Sequence, residues 1–201
     1  MSISRRQVSP LVNLQPPAAA SMKTAAFSMR RKPSLELASV RGDSNSGEFR
    51  HAVAHATGIE LPRDPNTVAL GEAYIALWLG PDEWLLHSTA PREATLERTL
   101  RPLLAGQFAA VVDVSSGSIV VEVTGSRARE VLQKGCPLDL HPRAFSAGQC
   151  AQSHFFKAAL VLRPLGTDTF EAIFRRSYAD YATRMLIDAA EEFTNTKTEA
   201  H

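Results

Sequence analysis

"LGPDEWLLH", residues 79–87, joins two apolar runs through a glycine, a proline and two acids, and its reading decides the fold. As chemistry, Asp82 and Glu83 are a carboxylate pair with Trp84 as a platform for a substrate. As structure, Gly80 to Glu83 is a tight connection between antiparallel strands, where proline early in the turn and Asp or Gly nearby are what the backbone needs. The group returns 86 residues later: Leu165-Gly166-Thr167-Asp168-Thr169-Phe170 stands for Leu79-Gly80-Pro81-Asp82-Glu83-Trp84. Both copies lie between strand-like runs, and a turn explains them without chemistry. Trp84 and Phe170 then open the returning strands at the same register, as aromatics that cap a core.

Other landmarks repeat at similar separations. Val40-Arg41-Gly42 recurs as Val123-Thr124-Gly125, and Leu61-Pro62 stands where Leu140-His141-Pro142 stands later. The elements repeat with them. "SLELASV" alternates like a strand, "SGEFRHAVAHATG" opens with a serine and an acid and closes at Gly58 like a short helix, and "ELPRDPN" is a proline-broken loop. "ALGEAYIALWLG" and "EWLLHS" read as two strands, and "APREATLERTLRPLLAG" as a helix with Pro91 in its first turn and Gly106 at its end. In the second half "SIVVEVTG" is a strand and "SRAREVLQKG" a helix capped by Ser126. "CPLDLHPRAF" is a loop, "SHFFKAALVLRPLG" and "TFEAIFRRS" are two strands, and "YADYATRMLIDAAEEF" is an amphipathic helix. The fold class expected is α+β: a strand-helix-strand-strand-helix module, internally duplicated over about 35–106 and 110–193, with antiparallel sheets.

Of 201 residues, 44% are hydrophobic, enough for a sizeable core, and the longest apolar runs are too short to cross a bilayer. With no apolar leader at its start the chain is expected to be soluble and unexported. Its net charge of +1 hides an asymmetry, because residues 1–35 hold Arg5, Arg6, Lys23, Arg30, Arg31 and Lys32 and no acid, leaving 16 cations against 21 acids elsewhere. Residues 1–34 are expected to be a basic low-complexity arm: a disordered tail, a wrap for an acidic partner or a targeting peptide. Residues 194–201 read as a polar tail. The acidic body has no basic stripe with interleaved aromatics, which argues against nucleic acid as a partner.

Catalytic constellations are missing. Neither a phosphate loop nor a dinucleotide fingerprint occurs. Glu48, His51 and His55 share one helix face, but Ala52 stands where a zinc protease has its glutamate, and solvent-facing histidines explain the group. Ser115-Ser116-Gly117 and Gly125-Ser126 match no nucleophile elbow. Asp113, ending a strand, reads as a turn cap. Arg163, Arg175 and Arg176 at strand ends either meet an acidic partner or are solvated charges that discourage strand pairing. Cys136 and Cys150 have no zinc-site spacing and read as buried thiols. No residue is assigned as catalytic, cofactor-binding or metal-binding.

The motifs "ATGIELPRDPNT", "ALWLGPDEWLL", "AAVVDVSSGSIVVEVTGSRAREVLQKGCPLDLHPRAF" and "FRRSYADY" together resemble the gamma subunit of heterotetrameric sarcosine oxidase, over about residues 8–193. The resemblance implies a cytoplasmic, non-catalytic subunit of a complex that oxidatively demethylates sarcosine to glycine. It implies contact mainly with an alpha subunit and also with beta and delta subunits. It places FAD, FMN, NAD, zinc and tetrahydrofolate on those other subunits and no cofactor on this chain. The implied fold is similar to the folate-binding domain of the aminomethyltransferase T-protein of glycine cleavage. Against that protein, Asp113, Ser115 and Gly125 keep structural places. The T-protein's catalytic aspartate falls at Phe156-Lys157-Ala158, where this chain has no acid. Two other readings stay open: a stand-alone folate-binding or aminomethyltransferase-like one-carbon protein, or the matching subunit of an N-methyl amino acid dehydrogenase.

Overall fold

The computed structural model describes residues 26–194. Its first half runs β1 (Ser28–Arg31), β2 (Leu37–Arg41), α1 (Gly47–Thr57), β3 (Val68–Leu70), β4 (Tyr74–Gly80), β5 (Glu83–Ser88) and α2 (Leu96–Leu103). The second runs β6 (Ala110–Asp113), β7 (Ser118–Thr124), α3 (Ala128–Gln133), β8 (Ala151–Phe155), β9 (Ala158–Pro164), β10 (Thr169–Arg175), a 3₁₀ turn over Arg176–Tyr178 and α4 (Ala179–Thr194). Two antiparallel five-stranded sheets result, in the orders β3-β4-β5-β2-β6 and β1-β7-β10-β9-β8.

Period-two alternation sets the layers. Along β5, Trp84 and Leu86 join a cluster with Phe49 and Val53 of α1 and Leu96 and Leu100 of α2. Leu85, between them, joins Leu37, Leu77, Val120, Cys150 and Ile173 in a cluster shared by the two sheets. Along β10, Phe170, Ala172 and Phe174 pack with Val131, Leu132, Leu186 and Ala190 of α3 and α4. The molecule is therefore a four-layer sandwich of helices, sheet, sheet and helices.

The opening turn is a hairpin. β4 and β5 pair with Gly80 opposite Glu83, leaving Pro81 and Asp82 at the tip. The repeated landmarks bind each other: Gly42 N–H donates to the Asp82 carbonyl at 3.1 Å, and Gly125 N–H to the Asp168 carbonyl at 3.0 Å. Gly42 must be glycine, because a Cβ there would stand 2.4 Å from the Phe49 ring. α1 is built as its sequence signals: the Ser46 side chain accepts from Phe49 N–H, and Gly58 closes it at φ 73°.

Several expectations are corrected. "ALGEAYIALWLG" is two strands, β3 and β4, because the chain reverses at Gly71, whose N–H donates to Tyr74 O. "SHFFKAALVLRPLG" is likewise β8 and β9 around a turn in which Phe156 takes φ 50°. Each half thus has two strands beyond the five elements expected. Pro91 lies outside α2, which starts at Leu96. Ser126 does not cap α3; the cap position is Arg127, without a side-chain bond. Within the arm expected over 1–34, Ser28–Arg31 pairs with β7 and Phe27 is buried in the second core, whereas residues 1–25, and 195–201 of the expected polar tail, lie outside the described residues. Each half lends its first strand to the other: β1 belongs to the second sheet and β6 to the first.

Candidate functional site

The residues singled out in the sequence form no catalytic group, although Glu83, Asp113, Ser116, Gly117 and Arg175 line one cleft. Asp82 is exposed, and Glu83 pairs with Arg41 at 2.5 Å across the β2–β5 ladder. Trp84 is fully buried, donates from Nε1 to the Pro62 carbonyl at 2.8 Å and lies 5.6 Å from the Phe49 ring. His51 and His55 are exposed on α1 with ring centroids 6.5 Å apart. Among the described residues no three His, Cys, Asp or Glu side chains are grouped to hold a metal ion. Asp113 caps its turn through Ser115 N–H at 2.9 Å, and the Ser115 hydroxyl accepts from Leu37 N–H at 2.8 Å. Both cysteines are buried free thiols, and burial pushes Cys150 up to about 11.

Arg163 corrects the expectation of a solvated strand end. It is 7% exposed and donates from Nε to Glu171 Oε1 at 2.6 Å. Glu171, in mid-β10, is fully buried between the sheets. Its other oxygen meets Lys32 Nζ at 2.5 Å, and His87 Nε2 of β5 reaches Oε1 at 3.1 Å. That last approach is off-axis and is not a linear hydrogen bond, while His87 Nδ1 lies 3.0 Å from Ser88 O. Burial pushes the Glu171 carboxyl up, but His87 and Arg163 together outweigh it and hold the group well below the usual carboxylate range.

A second buried acid, Glu36, serves the fold. One oxygen accepts the Thr95 and Leu96 N–H groups that start α2, and the other accepts the Tyr74 hydroxyl at 2.7 Å. A carboxylate at a helix N-terminus satisfies free donors and the helix dipole together. At the opposite end of the inter-sheet layer the sheets part into a cleft of about 590 Å³, with Leu79, Leu85, Val161 and Ile173 among its walls and Asp113 and Arg175 at its edge.

Glu36, His87 and Glu171 were not selected from the sequence. Alternation gave no signal for two of them, because His87 and Glu171 lie on the faces opposite Trp84 and Leu86, and Phe170 and Phe174, where a half-buried strand ordinarily carries polar side chains.

Residues 41–192 match the family described as Sarcosine oxidase, gamma subunit family. The chain belongs to this family. It is 36% identical over 157 residues to the sarcosine oxidase subunit gamma of Corynebacterium sp. (strain P-1), covering 78% of this chain and 76% of that one. The Arthrobacter sp subunit gamma is 35% identical over 145 residues, covering 72% and 70%. Among solved structures, a chain of the heterotetrameric sarcosine oxidase from Corynebacterium sp. U-96, in complex with pyrrole 2-carboxylate, superposes with a TM-score of 0.84 at 29% identity. That match covers 95% of this chain and 98% of that one. The glycine cleavage aminomethyltransferase T from Bartonella henselae shares the fold, with a TM-score of 0.60 at 12% identity over 87% of this chain and 49% of that one.

The residues of this gamma-family chain do not fit a folate-directed acid at the place the T-protein comparison marks. The β8–β9 turn presents Phe156 and Lys157, both exposed, and Lys157 N–H approaches the Tyr181 hydroxyl at 3.4 Å. No carboxylate belongs to that turn. No helix among the described residues is long and apolar enough to cross a membrane.

Proposed function

We propose that this chain is a non-catalytic gamma subunit that supports assembly of a heterotetrameric sarcosine oxidase, the flavoenzyme that oxidatively demethylates sarcosine to glycine. The superposition on a chain of the heterotetrameric enzyme over nearly the full length of both carries this reading. The site chemistry agrees with it: the buried acids are consumed by helix capping and ion pairing, and the Ser115 hydroxyl that donates to Asp113 belongs to the turn after β6. In this reading the alpha subunit is the main contact, with beta and delta completing the complex in the cytoplasm. FAD, FMN, NAD, zinc and tetrahydrofolate are held by those subunits, and this chain holds none.

The test is co-expression with the neighbouring-gene subunits, with and without this chain. The expected outcome is that tagged alpha subunit retains this chain, and that omitting it lowers the yield of assembled, sarcosine-oxidising complex several-fold. Full assembly and turnover without this chain would reject the proposal. Tight tetrahydrofolate binding by the isolated chain, read by isothermal titration, would favour the folate-protein alternative instead.

A further inference from the structure

The two ends of the inter-sheet layer are equivalent by duplication but opposite in chemistry. Pairing registers identify the equivalents: Val40 faces Trp84 as Val123 faces Phe170, and Trp78 faces Trp84 as Pro164 faces Phe170. Leu85 therefore corresponds to Glu171, Ile173 to His87, and Leu77 to Arg163. Val114 corresponds to Lys32, because Val114 N–H donates to Leu37 O and Lys32 N–H to Val120 O, at matching distances before Val40 and Val123.

Each end sets a trio from one sheet against the equivalent residue of the other, Ile173 or His87. At the cleft end, Leu77, Leu85 and Val114 of the first sheet share their cluster with Ile173, Val120 and Val161 of the second, all aliphatic. At the far end, Arg163, Glu171 and Lys32 of the second sheet meet His87 of the first. The aliphatic end shows that this fold lines the layer beside the cleft without ions, and a buried ion cluster is not a default source of stability. What the ions add is discrimination. Were two second sheets to pair with this geometry, each ionic trio would face an isoleucine. Were two first sheets to pair, each aliphatic trio would face a histidine. Both like-with-like pairings are mismatched at both ends, burying polar groups against aliphatic ones.

We infer that His87 and Ile173 are the keys of a pairing code, read by the ionic and aliphatic trios, that makes each sheet select its unlike partner and reject a like sheet from a second copy of the chain. The exchanged strands β1 and β6 make such a safeguard necessary, since halves that already lend strands to each other are one step from lending them between molecules.

The test exchanges the keys in the full-length chain, alone and co-expressed with the other subunits: H87I/I173H. Both native contacts become mismatched and both like-with-like contacts matched, so two chains satisfy the code only by exchanging halves. The expected result, by light scattering and native mass spectrometry, is a discrete dimer whose share rises at least about tenfold over wild type, with a thermal midpoint above that of H87I. H87I alone, mismatched at the ionic end, stays monomeric with a lowered midpoint. A double variant that remains monomeric overturns the inference. So does one that is insoluble where H87I is soluble, or that aggregates without a discrete dimer.

Discussion

Glu171 shows how a buried carboxylate sets an acid limit. Held well below its ordinary value of 4.5, it refuses a proton that the unfolded chain accepts. Its contribution is therefore complete above about pH 4.5 and is lost progressively as the pH falls below it. E171Q is expected to lower stability at neutral pH by about 2–3 kcal/mol, because Arg163 loses its counter-charge. The variant also flattens the acid limb of stability against pH; urea unfolding from pH 2 to 7 measures both. Cys150 tests burial independently. With its thiol pushed up to about 11, roughly one molecule in a thousand carries thiolate at pH 8. An alkylating reagent is expected to leave Cys150 unmodified in the folded protein and to modify it on unfolding, as peptide mass mapping will show. At this scale the sequence was legible where a side chain serves its own neighbourhood, as Ser46, Gly58 and Asp113 do. It was opaque for Glu36 and Glu171, whose partners come from distant strands and which no local pattern separates from a surface acid.

The strands that sequence reasoning merged, β3 with β4 and β8 with β9, share a cause. Neither reversal is spelled by a pair of turn residues: Gly71 stands alone between β3 and β4, and Phe156 holds a left-handed conformation that glycine or asparagine ordinarily marks. The helix expected from Pro91 shortened for a different reason, because its start is fixed by Glu36 reaching from before β2 rather than by a cap of its own. β1 was hidden by composition, since "SMRRK" reads as part of a basic tail. Its strand character comes from Glu122, which holds Arg30 at 2.9 Å, and from Met29 packing on the second core. Deleting residues 1–25 and deleting residues 1–32 are therefore expected to differ sharply. The longer deletion removes an edge strand and the buried Phe27, and lowers stability by at least about 3 kcal/mol relative to the shorter one. Thermal unfolding of the two truncations compares them directly.

The whole molecule is the level at which the duplication matters most. The Gly-x-Asp turns and Val-x-Gly landmarks, found as coincidences of spelling, prove to be the two ends of one hydrogen bond made twice, Gly42 to Asp82 and Gly125 to Asp168. Periodicity and repetition carried the α+β class and the antiparallel sheets. They did not carry the exchange of first strands, because a sequence repeat marks equivalent segments without saying which copy each one joins. The exchange also sets a timetable for synthesis. Ser28–Arg31 emerges early but pairs with Ser118–Thr124. At about 5–20 residues per second the ribosome needs on the order of ten seconds to supply that partner. The first half meanwhile lacks β6, so its own sheet is also short of an edge. The first half is incomplete when its last residue is made, and β1 is held in waiting until the second half is being read.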